Sequence, residues 1–413
     1  MQNKKFYPWL VVGLLWMVAL LNYLDRQMLS TMKPSMMKDI AELAKAENFG
    51  RLMAVFLWIY ALMSPVSGII ADRINRKWLI VGSLFVWSGV TLMMGYAQNF
   101  NQLYFLRAVM GVSEALYMPA GLALIADYHQ GKNRSLAIGI HLSGVYLGQA
   151  FGGFGATISS LFSWQWTFHS FGLLGMAYSI ILLALLREKK TYSVDTTQKS
   201  SFKLELSGAF KGLSILFGNI AFWIILFYFS APSFPGWAVK NWLPTLFSDA
   251  MHMDMAKAGP LATITTAFSS LIGVILGGYI SDRWVQKTLK GRIYTGVVGL
   301  SFTIPALFLL GYGNSFWLIM LGGVSFGLGF GIFDVNNMPI LCQFVSPRYR
   351  ATGYGLMNLA GISSGALITG FLGKSADAGN MRHDFALLSI VVVITIILQL
   401  TVLKPKTVNK TED

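Results

Sequence analysis

The sequence predicts an all-α integral membrane protein, with twelve transmembrane helices in two pseudo-symmetric six-helix bundles. Three observations carry this. The 413-residue chain is 54% hydrophobic and only 12% charged, where a water-soluble chain holds about 25% charged residues. It contains about twelve apolar stretches of the roughly 20 residues that a helix needs to cross ~30 Å of hydrocarbon. Its two halves repeat short motifs at matching places. Too few polar residues remain to coat a surface in water, which excludes a soluble enzyme and a disordered chain.

In chain order the spans are 9–30, 49–71, 78–96, 103–127, 136–159, 166–186, 220–247, 259–281, 294–312, 316–344, 352–373 and 385–403. The first is not a cleavable signal peptide: it has no small-residue cleavage site and carries Asp25-Arg26 near its end. Glycine is abundant, at 42 residues, and small residues let helix backbones approach closely in lipid. The single cysteine, Cys342, excludes an intrachain disulfide and is expected to be a packed thiol. The five histidines form no close-spaced ligand pair, so no metal and no cofactor is expected; His141 and His169 read as structural.

The net charge of +14 would suggest nucleic acid in a soluble protein; here it describes topology. With both termini placed in the cytoplasm, most Lys and Arg fall in cytoplasmic loops, among them Arg73, Arg76, Lys77, Lys189, Lys190, Arg283, Arg292, Arg348 and Arg350. The outer loops keep few, such as Lys33, Lys38, Lys45, Lys257 and Lys374. That asymmetry sets the orientation and predicts attraction to anionic membrane lipid, with no role for nucleic acid.

The longest polar stretch, 187–211, separates the sixth and seventh spans. It divides the chain into an N-terminal bundle (1–186), a cytoplasmic linker (187–218) and a C-terminal bundle (219–413). Gly68-Ile-Ile-Ala-Asp72-Arg73 follows span two, and Gly278-Tyr-Ile-Ser-Asp282-Arg283 follows span eight. Arg134-Ser-Leu-Ala-Ile-Gly-Ile opens span five, and Arg350-Ala-Thr-Gly-Tyr-Gly-Leu opens span eleven. Two halves in the same orientation imply a pseudo-twofold axis along the membrane normal and a binding site between them at the midplane.

The chain resembles the major facilitator superfamily of transporters over its full length. Gly68-x-x-x-Asp72-Arg73-x-x-Arg76-Lys77 fits that family's cytoplasmic loop signature between spans two and three. Asp72 at a helix end is placed to pair with arginines across the bundle interface, and Gly68 to permit close helix contact. The resemblance implies that Gly68, Asp72, Arg73 and Arg76 latch the outward-open state. Asp282 and Arg283 are their counterparts in the second half, where the downstream Arg-Lys pair is lost.

A charge inside the membrane costs roughly 2.5–3.5 kcal/mol on insertion scales, so each is a functional hypothesis by default. Span one carries Asn22-Tyr23-Leu24-Asp25-Arg26, and span four carries Arg107 and Glu114. The last two lie seven residues apart, about two turns, and share a helix face. Arginine stays protonated in any protein site, and its fork matches a carboxylate or phosphate. A carboxyl group withdrawn from water is suited to take up and release a proton near neutral pH. The plainer alternative is a pair of buried structural salt bridges, Asp25 with a neighbouring Arg and Arg107 with Glu114.

Asn-Tyr-x-Asp-Arg in span one, with Arg-x6-Glu in span four, is similar to the anion:cation symporter branch of the superfamily, which includes hexuronate, galactonate and sialic acid carriers. The resemblance implies that Arg26 contacts a substrate carboxylate, that Asp25 and Glu114 take part in proton coupling, and that Arg107 pairs with Glu114. Tyr23 and Tyr60 are candidate sugar contacts. Gln149 replaces the proline of the superfamily's antiporter motif on a Gly-rich face and is a candidate partner for substrate hydroxyls. In the C-terminal half, Asn336 and Asn337 in span ten and Asn358 in span eleven are candidate hydroxyl partners. Pro235-Gly236 is expected to break span seven. Lys240 near that span's outer end either snorkels or steers substrate. Asp334 either pairs with Lys240 or carries a second proton.

These residues point to a bacterial-type inner-membrane transporter that carries a sugar acid with protons by alternating access, and the resemblance implies a monomer. No Walker-type Gly-Lys-Ser/Thr run is present to couple ATP, and no nucleophile–base constellation indicates an enzyme. An organophosphate or lysolipid carrier of the same fold is the alternative, since Asn-Tyr-x-Asp-Arg also resembles the lysolipid-carrying spinster branch. A non-transporting membrane receptor is a third reading, although no output domain is expected after Leu403.

Overall fold

A computed structural model describes residues 3–129, 133–188, 216–218, 220–345 and 350–403, and these are almost entirely helical. The N-terminal half runs α1 (Asn3–Leu29), the single turn α2 (Lys33–Met36), a 3-10 turn (Ala41–Ala44), α3 (Ala46–Arg73), α4 (Arg76–Met94), α5 (Phe100–Ala115), α6 (Tyr117–Tyr128), α7 (Arg134–Gly152), α8 (Gly155–Leu161) and α9 (Trp164–Leu185). The C-terminal half runs α10 (Ile220–Met251), α11 (Met255–Val285), α12 (Gly291–Tyr312), α13 (Phe316–Asp334), α14 (Asn337–Phe344), α15 (Arg350–Asp377) and α16 (Met381–Val402). Most of the 187–218 linker lies outside the described residues.

Helix starts follow capping chemistry. Asn75, Asn99, Ser163, Asp254 and Ser315 each accept a hydrogen bond from a backbone N–H of the first turn that follows. An N-cap of this kind satisfies one of the four orphan donors and is worth about 1 kcal/mol. The caps therefore locate the starts of spans three, four, six, eight and ten at the membrane boundary. Between the caps, the backbone has no water to bond to, so uninterrupted helix is the form the apolar runs adopt.

Among the described residues, eleven helical segments are long and apolar enough to span a membrane, by length and composition. Three expected spans depart from straight rods. Span four divides at Leu116 into α5 and α6, and span ten divides at Val335 and Asn336 into α13 and α14. Span five ends early: its apolar helix is the shorter Leu136–Gly152, and the chain turns through Gly153 and Phe154 into α8. Conversely, α10 runs unbroken through Pro232, Pro235 and Pro244, which corrects the expected break at Pro235-Gly236. Helices in the membrane tolerate proline because their neighbours re-satisfy the freed groups.

Within the N-terminal half α1 packs on α7, α3 on α5, and α4 on α9; within the C-terminal half α10 packs on α15, α11 and α12 on α13, and α12 on α16. The halves meet along two seams, α3 against α15 and α11 against α7 and α8. Asp377 of α15 accepts hydrogen bonds from the first two backbone N–H groups of α3, at Ala46 and Glu47, both 2.8 Å. Lys374 faces Glu47 at 3.6 Å. On the other seam the Thr157 hydroxyl donates to the Ala256 carbonyl (2.6 Å) and the Thr263 hydroxyl to the Ala150 carbonyl (2.9 Å). Gly259 is required there: a Cβ on it would sit 2.6 Å from the Gly153 carbonyl oxygen.

All of these contacts lie at the end that charge assigns to the outside. At the other end of α3, a Cβ on Gly68 would meet no described atom within 4 Å, and one on Gly355 would come only to 4.0 Å from Pro65. The close helix contact expected at Gly68 is therefore not formed among the described residues, because the seam is tight only towards the start of α3 and the end of α15.

Candidate functional site

The charged residues of the first and fourth spans converge inside the N-terminal bundle. Arg26 Nε donates to Glu114 Oε2 at 2.5 Å, linking α1 to the last turn of α5 just before the break at Leu116. The Glu114 side chain is 0% exposed and the Arg26 side chain 11%. This differs from the expected Arg107–Glu114 pair. Arg107 is buried, directs Nη1 to Met110 Sδ at 3.2 Å, and lies 4.6 Å from the Phe56 ring centre. It stays within electrostatic reach of Glu114 and Asp25. The reason is geometric: two helical turns separate Arg107 from Glu114, about 11 Å of rise, whereas Arg26 reaches straight across from the neighbouring helix.

Asp25 is buried behind this pair. Its Oδ2 accepts a bond from the Thr91 hydroxyl of α4 at 3.3 Å, and it senses the charges of Glu114 and Arg107. Phe56 of α3, buried, lies under both guanidinium groups, 5.0 Å from Arg26 and 4.6 Å from Arg107. Tyr23 and Tyr60 also present their rings to Arg26, at 4.7 and 4.5 Å. Three aromatic faces thus hold one guanidinium, each contact worth about 0.5–2 kcal/mol depending on desolvation.

Arg26 looks into the space between the halves, and the C-terminal half answers it. Tyr23 lies within electrostatic reach of Tyr60, Glu114 and Asp334, and Tyr354 within reach of Asp334, Tyr23 and Tyr60. Tyr354 also bonds Asn358, and Tyr146 of α7 neighbours Asp334 and Tyr23. Asp334, the last residue of α13, is exposed although its neighbours come from both halves, so it lines the cleft between them. Lys240 is half-buried, with its ammonium 4.9 Å from the Trp237 ring centre and 5.8 Å from that of Phe330. These neighbours are interior, so Lys240 does not snorkel to the lipid interface. A cavity of about 10 Å³ between the halves is lined by Gln149, Lys240, Gln27, Thr263 and Thr266 among others; it has room for one water.

The remaining predicted residues fall elsewhere. Asn336 is buried, and its amide donates to the Ile332 carbonyl of its own helix (2.9 Å). Asn337 is buried and donates to Asp334 Oδ1 (3.0 Å), fixing that carboxylate at the helix break. In the loop signature, Arg76 pairs with Asp127 at the end of span four. Asp282 pairs with Arg292 (3.1 Å), and Arg283 covers the ring of Tyr279 (4.4 Å). Each of these partners lies in the residue's own half, not across the interface. The side chains of Asp72 and Arg73 lie outside the described residues.

Five participants escaped the sequence reading: Phe56, Thr91, Tyr146, Tyr354 and Phe330. Aromatic residues in spans are mostly packing, and nothing in their spacing marks these ones. Lys240, by contrast, was marked in the sequence as a charge inside span seven.

Two bundles joined along two seams, with buried charges facing a cleft at their interface, define a transporter-type membrane protein. The chain matches the Major Facilitator Superfamily profile over residues 15–370 and 270–412 and belongs to that family. It is 24% identical to the "Probable L-galactonate transporter" of Escherichia coli K12, covering 87% of this chain and 82% of that one. It is 25% identical to the D-galactonate transporter of E. coli O6:H1, covering 87% and 93%. A bacterial homologue of the human lysosomal transporter Spinster, solved inward-facing and unoccupied, has the same fold (TM-score 0.75, 21% identity, 95% of this chain and 96% of that one).

Proposed function

We propose that this protein is a proton-coupled symporter for a sugar acid, a hexuronate, aldonate or sialic acid, working by alternating access. It acts as a monomer in a bacterial inner membrane with both termini in the cytoplasm. The observation that carries the reading is the Arg26–Glu114 pair: a permanent cation at the edge of the cleft, neutralised by a carboxylate that is sealed inside the bundle. The galactonate carriers among its relatives support the substrate class.

The coupling follows from competition for Arg26. An arginine keeps its proton in any protein site, so only the carboxylate can change state. While Glu114 is ionised it satisfies Arg26. A proton on Glu114 removes that counter-charge and leaves the guanidinium free to form a bidentate pair with a substrate carboxylate. By linkage, substrate on Arg26 must in turn favour the protonated Glu114 to the same degree. Asp25, held by Thr91 and sensing Glu114, is the next proton site along the path. The substrate thus crosses with its charge matched. Tyr23, Tyr60, Gln149 and Asn358 serve the hydroxyl groups.

The cleft favours a sugar acid over an organophosphate. Asp334 presents an exposed carboxylate to the cleft, which accepts hydrogen bonds from sugar hydroxyls and repels a dianionic phosphate. The test is a thermal-shift screen of the purified protein against hexuronates, aldonates, sialic acid, sugar phosphates and lysophospholipids. A ligand at a hundred times its Kd stabilises the state it binds by about 2.7 kcal/mol. Stabilisation by one acidic sugar, lost in Arg26→Ala, is the expected result. Stabilisation only by a phosphate or a lysolipid overturns the substrate class.

A further inference from the structure

Lys240 is an intramembrane cation that the coupling scheme leaves unused. Among the described residues it makes no ion pair within 4 Å and its ammonium makes no hydrogen bond. What holds it are the faces of Trp237 and Phe330. A lysine ammonium at this depth is costly unless something answers its charge. Asp334 is within electrostatic reach but engages Asn337 instead. Arg26 is also within electrostatic reach, from the opposite half. The backbone of Lys240 is pinned to that half as well, because Gln27 Nε2 donates to the Lys240 carbonyl at 2.8 Å. Gln149 shares a cavity wall with it. Two cations thus face one cleft from two sides, but they differ in state: Arg26 is bound by Glu114, and Lys240 is free.

We infer that Lys240 is the first anchor for the substrate's carboxylate, the point where an anion lands before Arg26 is released to it. The inference rests on the anion-symport reading and deepens it. Docking on Lys240 needs no proton, because no acidic partner has to be displaced. Engagement of Arg26 needs Glu114 to be protonated. A carboxylate held by both then ties the C-terminal half to the N-terminal half through the substrate itself. The substrate class narrows accordingly to carboxylates with several hydroxyl groups. One carboxylate satisfies both cations, while Asp334, Gln149 and the Tyr354–Asn358 pair are left for hydroxyls.

The experiment measures equilibrium binding of D-galactonate, D-glucuronate and glycerol 3-phosphate to the purified full-length protein at pH 6 and pH 8. It compares wild type, Lys240→Gln, Lys240→Arg and Arg26→Ala. Monodisperse elution and an unchanged unliganded melting temperature confirm that each variant is folded. The expected result is that Lys240→Gln weakens sugar-acid binding at both pH values by about tenfold or more, the scale of one charge-assisted hydrogen bond. Lys240→Arg retains most of the affinity, and Arg26→Ala weakens binding chiefly at pH 6. A residue that only packs would not separate the glutamine from the arginine variant, nor give this contrast in pH.

Wild-type affinity in Lys240→Gln overturns the inference while leaving the symport reading in place. Binding of glycerol 3-phosphate but of neither sugar acid overturns the sugar-acid reading, and the anchor is then judged by the same variants against that ligand. No binding of any of the three anions overturns both.

Discussion

In the N-terminal half the ionisable residues of the spans are packed into the bundle. Asp25, Arg107 and Glu114 are buried, held by Thr91, Met110, Phe56 and Arg26. In the C-terminal half, Lys240 is half-buried and Asp334 exposed, and among the described residues neither forms an ion pair. The same six-span plan thus handles charge in two ways. A sealed carboxylate exchanges its proton without meeting bulk water in the cleft, so its state reports on a partner such as Arg26. An open charge is available to whatever enters. On the proposed reading, proton exchange falls to the sealed carboxylates of one half, while the open charges of the other add to the ligand contacts of Arg26, Tyr23, Tyr60 and Gln149.

The most severe way to break this contrast is Glu114→Gln, which fixes the sealed site in its neutral form. Proton-driven accumulation is expected to fall to background, while exchange of labelled for unlabelled substrate persists. In proteoliposomes, uptake under an imposed proton gradient reads the first and counterflow the second; wild-type accumulation would take Glu114 out of the coupling role. Arg26→Ala removes the shared partner. Its expected effect is a loss of affinity of about ten- to a hundredfold, given ~1.5–3 kcal/mol for a hydrogen bond to a charged group, measured by ligand-induced shifts in melting temperature.

A subtler probe is Phe56→Leu. It keeps an apolar side chain but deletes the ring beneath both guanidiniums, at a cost of about 0.5–2 kcal/mol. The expected outcome is a several-fold change in the proton dependence of transport with a folded, monodisperse protein; an unchanged pH profile would make Phe56 mere packing. The smallest effect belongs to the seam. Asp377→Asn weakens the cap that one half places on α3 of the other, worth about 1 kcal/mol or less. A cysteine in place of Ala54, which is buried on α3 facing Gly370 of α15, in a Cys342→Ser background, should label a few times faster from the outside. An unaltered labelling rate would show that the other seam contacts hold that end shut by themselves.

Much of the architecture was legible because the bilayer imposes it. Span lengths follow from hydrocarbon thickness, and the repeated Asp-Arg motifs fall at the ends of α3 and α11. Arg26, Glu114, Asp25 and Arg107 were legible as a group because a charge in a span needs a reason to be there. Their pairing was not, since two arginines of similar reach compete for Glu114 and only the helix packing decides that Arg26 takes it. The shortening of span five at Gly152 was hidden in a glycine-rich run that sequence reads as close packing. The unbroken α10 was hidden for the opposite reason: Pro235-Gly236 breaks helices in water but not among packed neighbours in lipid. Gly68 was legible as a contact residue, yet close packing there depends on how tightly the inner ends of the seam are drawn together. Asn336 was legible as an amide in lipid, but the break after Asp334 turns it onto its own helix.

The measurement that bears most directly on the central claim is uptake of radiolabelled D-galactonate into proteoliposomes, with and without an imposed inward proton gradient. The account predicts accumulation above the external concentration only when the gradient is present, accompanied by alkalinisation of the medium and abolished in Glu114→Gln. Equal uptake to simple equilibration with and without the gradient would contradict it.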